Sequence, residues 1–235
     1  MIWWDHPDGP LIPCDPDLVV VRASHDVLIE RARHFVDAGI PVINDPEAHQ
    51  RSRDKWFQAQ TFFANGIAHP HSVNAATMEW TGDDDIVLKP RRGHSGNGVR
   101  RVQWSQLSEG DKVDMVAQRF VNVVADYRVV VIGGEALAWG LRTPPPGEFR
   151  SNLALGALLS ATPCPSVEAE HLAVNAVAAL GLDLGGVDLV MGPDGPLVLE
   201  VNAATTLFGP TPQASDDVLG ALTALISLRA ANTAR

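Results

Sequence analysis

Two acidic side chains and one amide form the clearest chemical pattern in the chain. They lie in two apolar runs on either side of a Gly-Pro-Asp-Gly-Pro turn, a pattern that predicts an antiparallel hairpin. If Val190 pairs with Val198 across this turn, the register also fixes the acidic positions. It places Asp188 directly opposite Glu200, with Asn202 on the same side as Glu200. The hairpin therefore predicts a compact group of oxygen ligands.

Opposed carboxylates in an apolar hairpin need a compensating charge. Directly opposed Cβ atoms lie about 5 Å apart, and two carboxylates at that distance repel by about 3 kcal/mol at an effective dielectric constant of about 20. A divalent cation would remove the repulsion, and two carboxylates with an amide oxygen are ligands that Mg²⁺ prefers. The pattern thus predicts a Mg²⁺ site completed by nucleotide phosphates and water. The alternative is that Asp188 and Glu200 lie on a solvated sheet face.

A glycine-bearing loop follows a short apolar strand in the first half of the chain. Gly93, Gly96 and Gly98 allow backbone N–H groups to turn inwards around an anion, and Lys89 can reach a phosphate from the strand end. The loop is neither a P-loop nor a dinucleotide fingerprint, because a strand and not a helix follows it. A glycine-rich hairpin tip is the alternative interpretation, and His94 within it is as consistent with a solvated side chain as with a role.

Cationic residues at several points of the chain add a third pattern. Arg128, Arg142 and Arg150 carry planar donors that suit phosphate and carboxylate groups, although surface charge alone would also explain them. Along the chain, Lys55, Lys89 and the arginines all precede the acidic hairpin. A set of phosphate binders followed by a metal site favours nucleotide chemistry.

Strands and helices must hold these groups in place. Alternating and apolar runs predict a strand-helix-strand unit at the start, followed by a helix and two successive hairpins. A second helix, a third hairpin and a last helix complete the predicted order. A Gly133-Gly134 pair marks the turn of the second hairpin. The predicted strands are 18–22, 40–44, 86–90 and 99–104, with hairpins over 126–142 and 186–202, and the predicted helices are 24–38, 52–65, 166–181 and 215–229.

At these residues the chain resembles the ATP-grasp superfamily, and most closely the RimK-type ligases. The resemblance extends from Asn44 to Gly209. It is carried by Arg51-Ser-Arg-Asp-Lys55, the loop from Lys89 to Val99, Gln118-Arg-Phe-Val121, Asp126-Tyr-Arg128, Gly147-Glu-Phe-Arg-Ser-Asn152, Gly186-Val-Asp188 and Leu199-Glu-Val-Asn202. The chain departs from these ligases at Arg119, where they have an acidic residue, and over 203–209, where they have a proline-containing turn.

The resemblance implies an α/β (α+β) fold of the ATP-grasp type, in which two lobes with antiparallel sheets grip the nucleotide. We expect a reduced α/β N-terminal layer over 1–44, shorter than the N-terminal domain of these ligases. An ATP-grasp domain over 45–235 is expected to follow. Its N-lobe (45–121) would carry the glycine loop, and its C-lobe (122–235) would carry the metal site.

The resemblance also implies roles for individual residues. The lysines and the glycine loop would contact the nucleotide phosphates, the hinge backbone at Arg119 and Phe120 would meet adenine, and Asp126 would lie near the ribose. The implied nucleotide-binding set is Lys55, Lys89, Gly93, Ser95, Gly96, Gly98, Gln118, Arg119, Phe120, Val121, Asp126, Arg150, Ser151 and Asn152. Asp188, Glu200 and Asn202 would hold two Mg²⁺ or Mn²⁺ ions, and the implied catalytic residues are Arg142, which would steady an acyl phosphate, and Arg150.

The implied reaction is an ATP-dependent ligation. A carboxylate attacks the γ-phosphorus of ATP to give an acyl phosphate and ADP, and an amine on an amino acid or peptide then displaces phosphate. Such chemistry needs positioning and charge neutralisation and no side-chain nucleophile. The alternatives are a peptide macrocyclase or other peptide-modifying enzyme of natural-product biosynthesis, a kinase on the same fold, and a non-catalytic ATP-binding regulator.

Composition limits the remaining classes. The 235 residues include 18 Lys and Arg against 28 Asp and Glu, a formal charge of -10 that argues against a nucleic-acid partner. The two cysteines are too few for a disulfide framework, and no long apolar run predicts a membrane segment, so we expect a cytoplasmic protein. Trp3, Trp4 and the strand Val19–Val21 are expected to have few partners in their own chain, which suggests a homo-oligomer that covers them.

Overall fold

The computed structural model describes residues 16–82, 85–207 and 209–233. Within these ranges the chain forms six α-helices and eleven β-strands. The helices are α1 (Asp26–Asp37), α2 (Pro46–Ser52), α3 (Lys55–Ala64), α4 (Glu109–Lys112), α5 (Val167–Ala179) and α6 (Pro212–Thr233). The strands are β1 (Val19–Val20), β2 (Val42–Ile43), β3 (Ser72–Asn74), β4 (Asp85–Pro90), β5 (Arg100–Gln103), β6 (Met115–Arg119), β7 (Ala125–Ile132), β8 (Glu135–Thr143), β9 (Leu158–Ala161), β10 (Leu184–Gly192) and β11 (Gly195–Asn202).

A five-stranded antiparallel sheet forms the larger half of the molecule. Its strand order is β11-β10-β7-β8-β9, so the two predicted hairpins lie side by side, joined through β10 and β7. The turn between β7 and β8 is the predicted glycine pair, and Gly133 and Gly134 have φ values of 59° and 88°. Two successive positive φ values are what a tight hairpin turn between twisted strands requires, and glycine adopts them without strain.

Helices cover both faces of this sheet. Along β7 the side chains alternate: Val129 and Val131 belong to the core that contains α5 and Phe62 of α3. Val130 and Ile132 belong to the opposite core, which α6 closes with Val218. A strand buried on both faces reads as a continuous apolar run, which explains why Val129–Ile132 shows no polar alternation in the sequence.

A four-stranded antiparallel sheet forms the smaller half, in the order β3-β6-β4-β5. Ile86 and Leu88 of β4 are fully buried and pack with Val73, Trp80 and Ala117. The hairpin of β4 and β5 was predicted, but β3 and β6 were not. Both are short, and β6 reaches the centre of the sheet by a non-sequential pairing that periodicity alone does not reveal.

The N-terminal unit is a strand-helix-strand layer, as predicted. Strands β1 and β2 pair in parallel, and Val21 packs with Ile29 and Ala32 of α1. The expectation that Val19–Val21 has few partners in its own chain is therefore wrong, since Val21 is only 5% exposed and Val20 packs against the core below α6. The two tryptophans of that hypothesis lie outside the described residues.

Two helices, α3 and α6, have bounds that differ clearly from the sequence prediction, and the short helices α2 and α4 were not predicted. The helix expected over 52–65 begins at Lys55, because the Asp54 side chain accepts hydrogen bonds from the N–H groups of Trp56 and Phe57 and caps it there. The last helix runs from Pro212 to Thr233 and is longer at both ends than predicted. Within the described ranges, no helix has the length and apolar character needed to cross a membrane.

Candidate active site

A cleft of about 890 Å³, including the open space at its mouth, separates the two antiparallel sheets. It collects most of the predicted site residues, from both halves of the molecule. Those that line it are Lys55, Lys89, Gly93, Ser95, Gly96, Gln118, Arg119, Phe120, Val121, Asp126, Arg142, Arg150, Ser151, Asn152, Asp188 and Glu200. Gly98 and Asn202 do not line the cleft, although each contacts a residue that does.

The glycine loop between β4 and β5 is fixed by close packing. Gly96 and Gly98 have φ values of 72° and 71°. A Cβ on Gly96 would lie 2.5 Å from Oδ1 of Asn152, and one on Gly98 would lie 2.9 Å from Cγ of Pro90. Glycine is therefore required at both positions, for conformation and for space. Arg150 supports the loop by donating to the carbonyl oxygens of Gly96 and Val99, at 3.2 and 3.3 Å.

The two lysines enter the cleft from different sides. Lys55, at the start of α3, donates to the carbonyl oxygen of Gly93 at 2.8 Å, and its Nζ lies 3.5 Å from Oε2 of Glu200. Lys89, at the end of β4, donates to Oε1 of Gln118 at 2.6 Å. Burial lowers the pKa of Lys89, although the charge of Glu200 opposes that shift. Both lysines line the same cleft.

The acidic hairpin, defined as β10 and β11, pairs Asp188 with Glu200 as predicted. The premise of that prediction was wrong, because Val190 pairs with Leu197 and not with Val198. A bulge between Asp188 and the next residue shifts the register by one and restores the acidic pair. A bulge of this kind changes the direction in which the neighbouring side chains point, and the periodicity of the sequence does not predict it.

Arginines supply much of the charge compensation that the sequence assigned to a cation. Oδ1 of Asp188 accepts hydrogen bonds from Arg128 and, at 3.1 Å, from Arg142. Arg142 also binds Oδ1 of Asp126 through two nitrogens, and Ser151 donates to the other oxygen of Asp126. Asp126, Arg142 and Asp188 are each less than a tenth exposed. The cleft floor is thus a buried, mutually hydrogen-bonded charge network.

The pKa values of the two aspartates respond differently to this network. Burial raises the pKa of Asp126 above its usual range in spite of Arg142, and the nearby charge of Asp188 adds to the rise. Burial acts in the same direction on Asp188, but Arg142 and Arg128 outweigh it and hold the pKa of Asp188 below its usual range. Two cations on one carboxylate therefore keep Asp188 ionised.

The donor set at the acidic hairpin still fits a divalent cation. Both arginines bind Oδ1 of Asp188, and the structure records no hydrogen bond to its Oδ2 among the described residues. Asn202 donates its amide N–H to Oε1 of Glu200 at 3.2 Å, which leaves its carbonyl oxygen as an acceptor. No group of three or more His, Cys, Asp and Glu side chains suited to a metal occurs in the described part of the chain, so the Asn202 oxygen is needed as a third ligand.

The segment at the cleft mouth ties Arg150 to Glu148, a residue of the 147–152 motif for which the sequence predicted no role. Arg150 donates to both carboxylate oxygens of Glu148, at 3.0 and 2.6 Å. This pairing lowers the pKa of Glu148 to about 2. Because Arg150 also donates hydrogen bonds to the glycine loop, its contacts in this structure hold that loop in place. The alternation of charges in Glu148-Phe-Arg150 was the signal available in the sequence.

The hinge between the sheets restricts which backbone groups can meet a base. The N–H of Arg119 donates to the carbonyl oxygen of His71 at 2.8 Å, and the N–H of Phe120 donates to the backbone carbonyl oxygen of Asp85 at 3.0 Å. Any backbone hydrogen bond between these two residues and adenine would therefore have to be accepted by their carbonyl oxygens. The Phe120 ring lies 3.8 Å from the Arg101 guanidinium and 6.2 Å from the Phe149 ring. Phe149 lines the cleft as well and was not predicted to do so.

Comparison with known proteins places this cleft in a family. A model of the RimK-like ATP-grasp domain matches residues 53–224. A probable alpha-L-glutamate ligase of Pasteurella multocida (strain Pm70) is 38% identical over 192 residues, which cover 74% of this chain and 60% of that protein. The chain thus spans about three fifths of the length of that curated relative.

Solved structures agree on the fold. The D-alanine–D-alanine ligase of Bacillus anthracis complexed with ATP superposes with a TM-score of 0.67 at 18% identity, covering 92% of this chain and 79% of that one. The ATP-grasp ligase PsnB complexed with its minimal precursor, Mg and ADP gives a TM-score of 0.62 at 20% identity, covering 84% and 65%. These likenesses confirm the predicted ATP-grasp fold, and the family match shows that the chain belongs to the RimK-like ATP-grasp family.

Proposed function

We propose that this protein is an ATP- and Mg²⁺-dependent ligase that activates a carboxylate as an acyl phosphate and couples it to an amine, with release of ADP and phosphate. One observation carries the proposal. A single cleft brings two lysines, a glycine loop and a buried arginine to the same place as an acidic pair, in which Oδ2 of Asp188 accepts no hydrogen bond from the described residues. Phosphate-binding groups and hard oxygen ligands are the parts that phosphoryl transfer requires.

The residues of the chain divide the work between binding and charge stabilisation. Lys55 and Lys89 bind phosphate oxygens, and the N–H groups of the glycine loop cover the same phosphates. Arg142, fixed by Asp126 and Asp188, presents a rigid cation at the floor of the cleft. A preorganised charge of this kind stabilises an acyl phosphate and the oxyanion that forms when the amine attacks.

Asp188, Glu200 and Asn202 hold the metal in this proposal, as two Mg²⁺ or Mn²⁺ ions. When bound, the metal neutralises and orients the phosphate oxygens. The substrates are an amino acid or peptide with a carboxylate and an amine acceptor. Because the Pasteurella multocida relative is named as a probable alpha-L-glutamate ligase, we propose L-glutamate as the first substrate to test.

An ATP turnover assay tests the function. The protein is incubated with ATP, Mg²⁺ and pools of amino acids and peptides, beginning with L-glutamate. We expect ADP and phosphate to form only when an acceptor is present, and to be lost in Glu200→Ala. Trapping with hydroxylamine should intercept the acyl phosphate as a hydroxamate. Formation of AMP in place of ADP would refute the proposed chemistry, and phosphorylation of a hydroxyl with no trapped intermediate would assign a kinase.

A further inference from the structure

Helix α3 carries a buried side-chain amide that is bonded to the acidic hairpin. Gln58 is 4% exposed and belongs to none of the motifs that carry the family resemblance. Its Oε1 accepts a hydrogen bond from the N–H of Val201 at 2.8 Å, and its Nε2 donates to the carbonyl oxygen of Val201 at 2.8 Å. The Nε2 also donates to the carbonyl oxygen of Ser52. All of the polar atoms of this amide are therefore used in fixed contacts.

This amide takes the place of a missing neighbouring strand. β11 is an edge strand of the five-stranded sheet, so its outer N–H and C=O groups lack strand partners. The Gln58 amide pairs with both backbone groups of Val201 as a residue on an adjacent antiparallel strand would. Three residues before Val201 on the same strand, the N–H of Val198 donates to the carbonyl oxygen of Ala68 at 2.9 Å, so the edge is covered at a second point.

The residue held by this pairing lies between two proposed metal ligands. Val201 is 2% exposed and packs in the core between the sheet and α5, so its side chain is as constrained as its backbone. Its N–H belongs to the peptide group that follows Glu200, and its C=O belongs to the peptide group that precedes Asn202. Fixing both peptide groups sets the direction in which the two ligand side chains leave the strand.

The same helical turn bears the predicted phosphate lysine. Lys55 and Gln58 are three residues apart and therefore lie on the same face of α3. Gln58 binds Val201 while Nζ of Lys55 lies 3.5 Å from Oε2 of Glu200. One rigid turn of helix thus sets the separation between a phosphate-binding cation and the acidic pair.

We propose that Gln58 is a positioning residue, which acts through the backbone of Val201 to aim Glu200 and Asn202 at a divalent cation. The proposal rests on the proposed function, because it assumes that these two side chains bind the metal. Residues that orient metal ligands typically change metal affinity by about 10-fold to 100-fold when they are replaced. Gln58 is expected to fall in that range.

The test is a titration of Mn²⁺ in the presence of ADP, in which electron paramagnetic resonance measures the free Mn²⁺. Gln58→Met keeps the length of the side chain but cannot bond to Val201. We expect it to weaken Mn²⁺ binding by about tenfold or more. Gln60→Met is the matched control, because Gln60 lies on the same helix and is exposed. It should bind Mn²⁺ as the unmodified protein does.

Two further measurements separate positioning from folding and from function. Thermal unfolding shows whether Gln58→Met is folded. If it is not, Gln58→Asn replaces it in the titration, because asparagine keeps the side-chain amide. Gln58→Asn should bind Mn²⁺ several-fold more weakly than the unmodified protein. A folded Gln58 variant that binds Mn²⁺ normally, while Glu200→Ala does not, would overturn the positioning role alone. Equal binding by the unmodified protein and Glu200→Ala would overturn the metal site and the positioning role together.

Discussion

Gly186→Ala should displace Arg128 from the acidic hairpin. Gly186 lies on β10, and the guanidinium of Arg128 occupies the space where a side chain would stand. A Cβ added there would lie 2.5 Å from Nη2 and 2.7 Å from Cζ of Arg128, and it would overlap the hydroxyl of Thr205. Thr205 is 2% exposed and holds Arg128 by a 3.0 Å hydrogen bond, so neither group can move freely.

The cost has two parts. Overpacking a buried site costs about 1–3 kcal/mol, and the loss of a hydrogen bond between Arg128 and the buried Asp188 costs about 1.5–3 kcal/mol. Because Arg142 remains on Asp188, we expect the sum to fall near the lower ends, at about 2.5–4 kcal/mol. In a chain of this length that corresponds to a melting temperature about 5–15 °C lower.

Gly220→Ala is the matched control, with the opposite sign. Gly220 lies within α6, and a Cβ there meets nothing within 4 Å. Alanine should stabilise the helix by about 0.5–1 kcal/mol. Urea and thermal unfolding of both variants measure the difference. If Gly186→Ala were as stable as the unmodified protein, Arg128 would have another low-energy position. The guanidinium of Arg128 would then not be the reason that position 186 requires glycine.

Arg142→Met should cost about 3–5 kcal/mol in urea unfolding, because it removes the shared partner of the buried Asp126 and Asp188; an unchanged midpoint would mean that water replaces the guanidinium. Burial, with the charge of Arg53, lowers the pKa of His49 to about 4. Since the unfolded state binds this proton more readily, stability should be full above about pH 7 and fall by about 2 kcal/mol between about pH 7 and pH 5. His49→Leu should remove that part of the pH dependence. Lys55→Met should weaken ATP binding by about 10-fold to 100-fold in calorimetry, since a charge-assisted hydrogen bond to phosphate is lost, and unchanged affinity would exclude Lys55 from the phosphate site.

Local signals predicted the hairpins well, because their determinants lie within a few residues. Gly133-Gly134 sets its own turn. The Asp188–Glu200 pair was predicted from a register that is wrong at Val190 and is restored at the acidic pair only by a bulge. The pairing of β6 with β3 and β4 joins residues that are 25 to 46 positions apart in the chain, and no local pattern encodes such contacts. The bulge in the acidic hairpin was hidden for a related reason, since it becomes visible only when both strands are seen together.

The electrostatics of the site were predicted in sign but not in detail. The sequence indicated that opposed carboxylates need positive charge, and it named Arg128 and Arg142 as cations without linking the two observations. Their link depends on β7 lying beside β10, where Arg128 pairs with Asp188 across the sheet. No sequence pattern predicts the role of Gln58, because a glutamine in an amphipathic helix is ordinarily a surface residue. Gln58 has a partner only because β11 is an edge strand.

The packing of α3 indicates which parts of the molecule would move together. Chain order places α3 with the smaller sheet, in the predicted N-lobe, yet Phe62 of α3 is 2% exposed in the core of the larger sheet. The smaller sheet has its own separate core. If the cleft opens, Lys55 is therefore expected to stay with Glu200, while Lys89 leaves with the smaller sheet. Opening would break polar contacts at the glycine loop, such as that between Lys55 and the carbonyl oxygen of Gly93, and would leave both apolar cores intact. The two lysines that look equivalent in the sequence are thus expected to differ: Lys55 belongs to the half that contains the acidic hairpin, and Lys89 moves with the glycine loop.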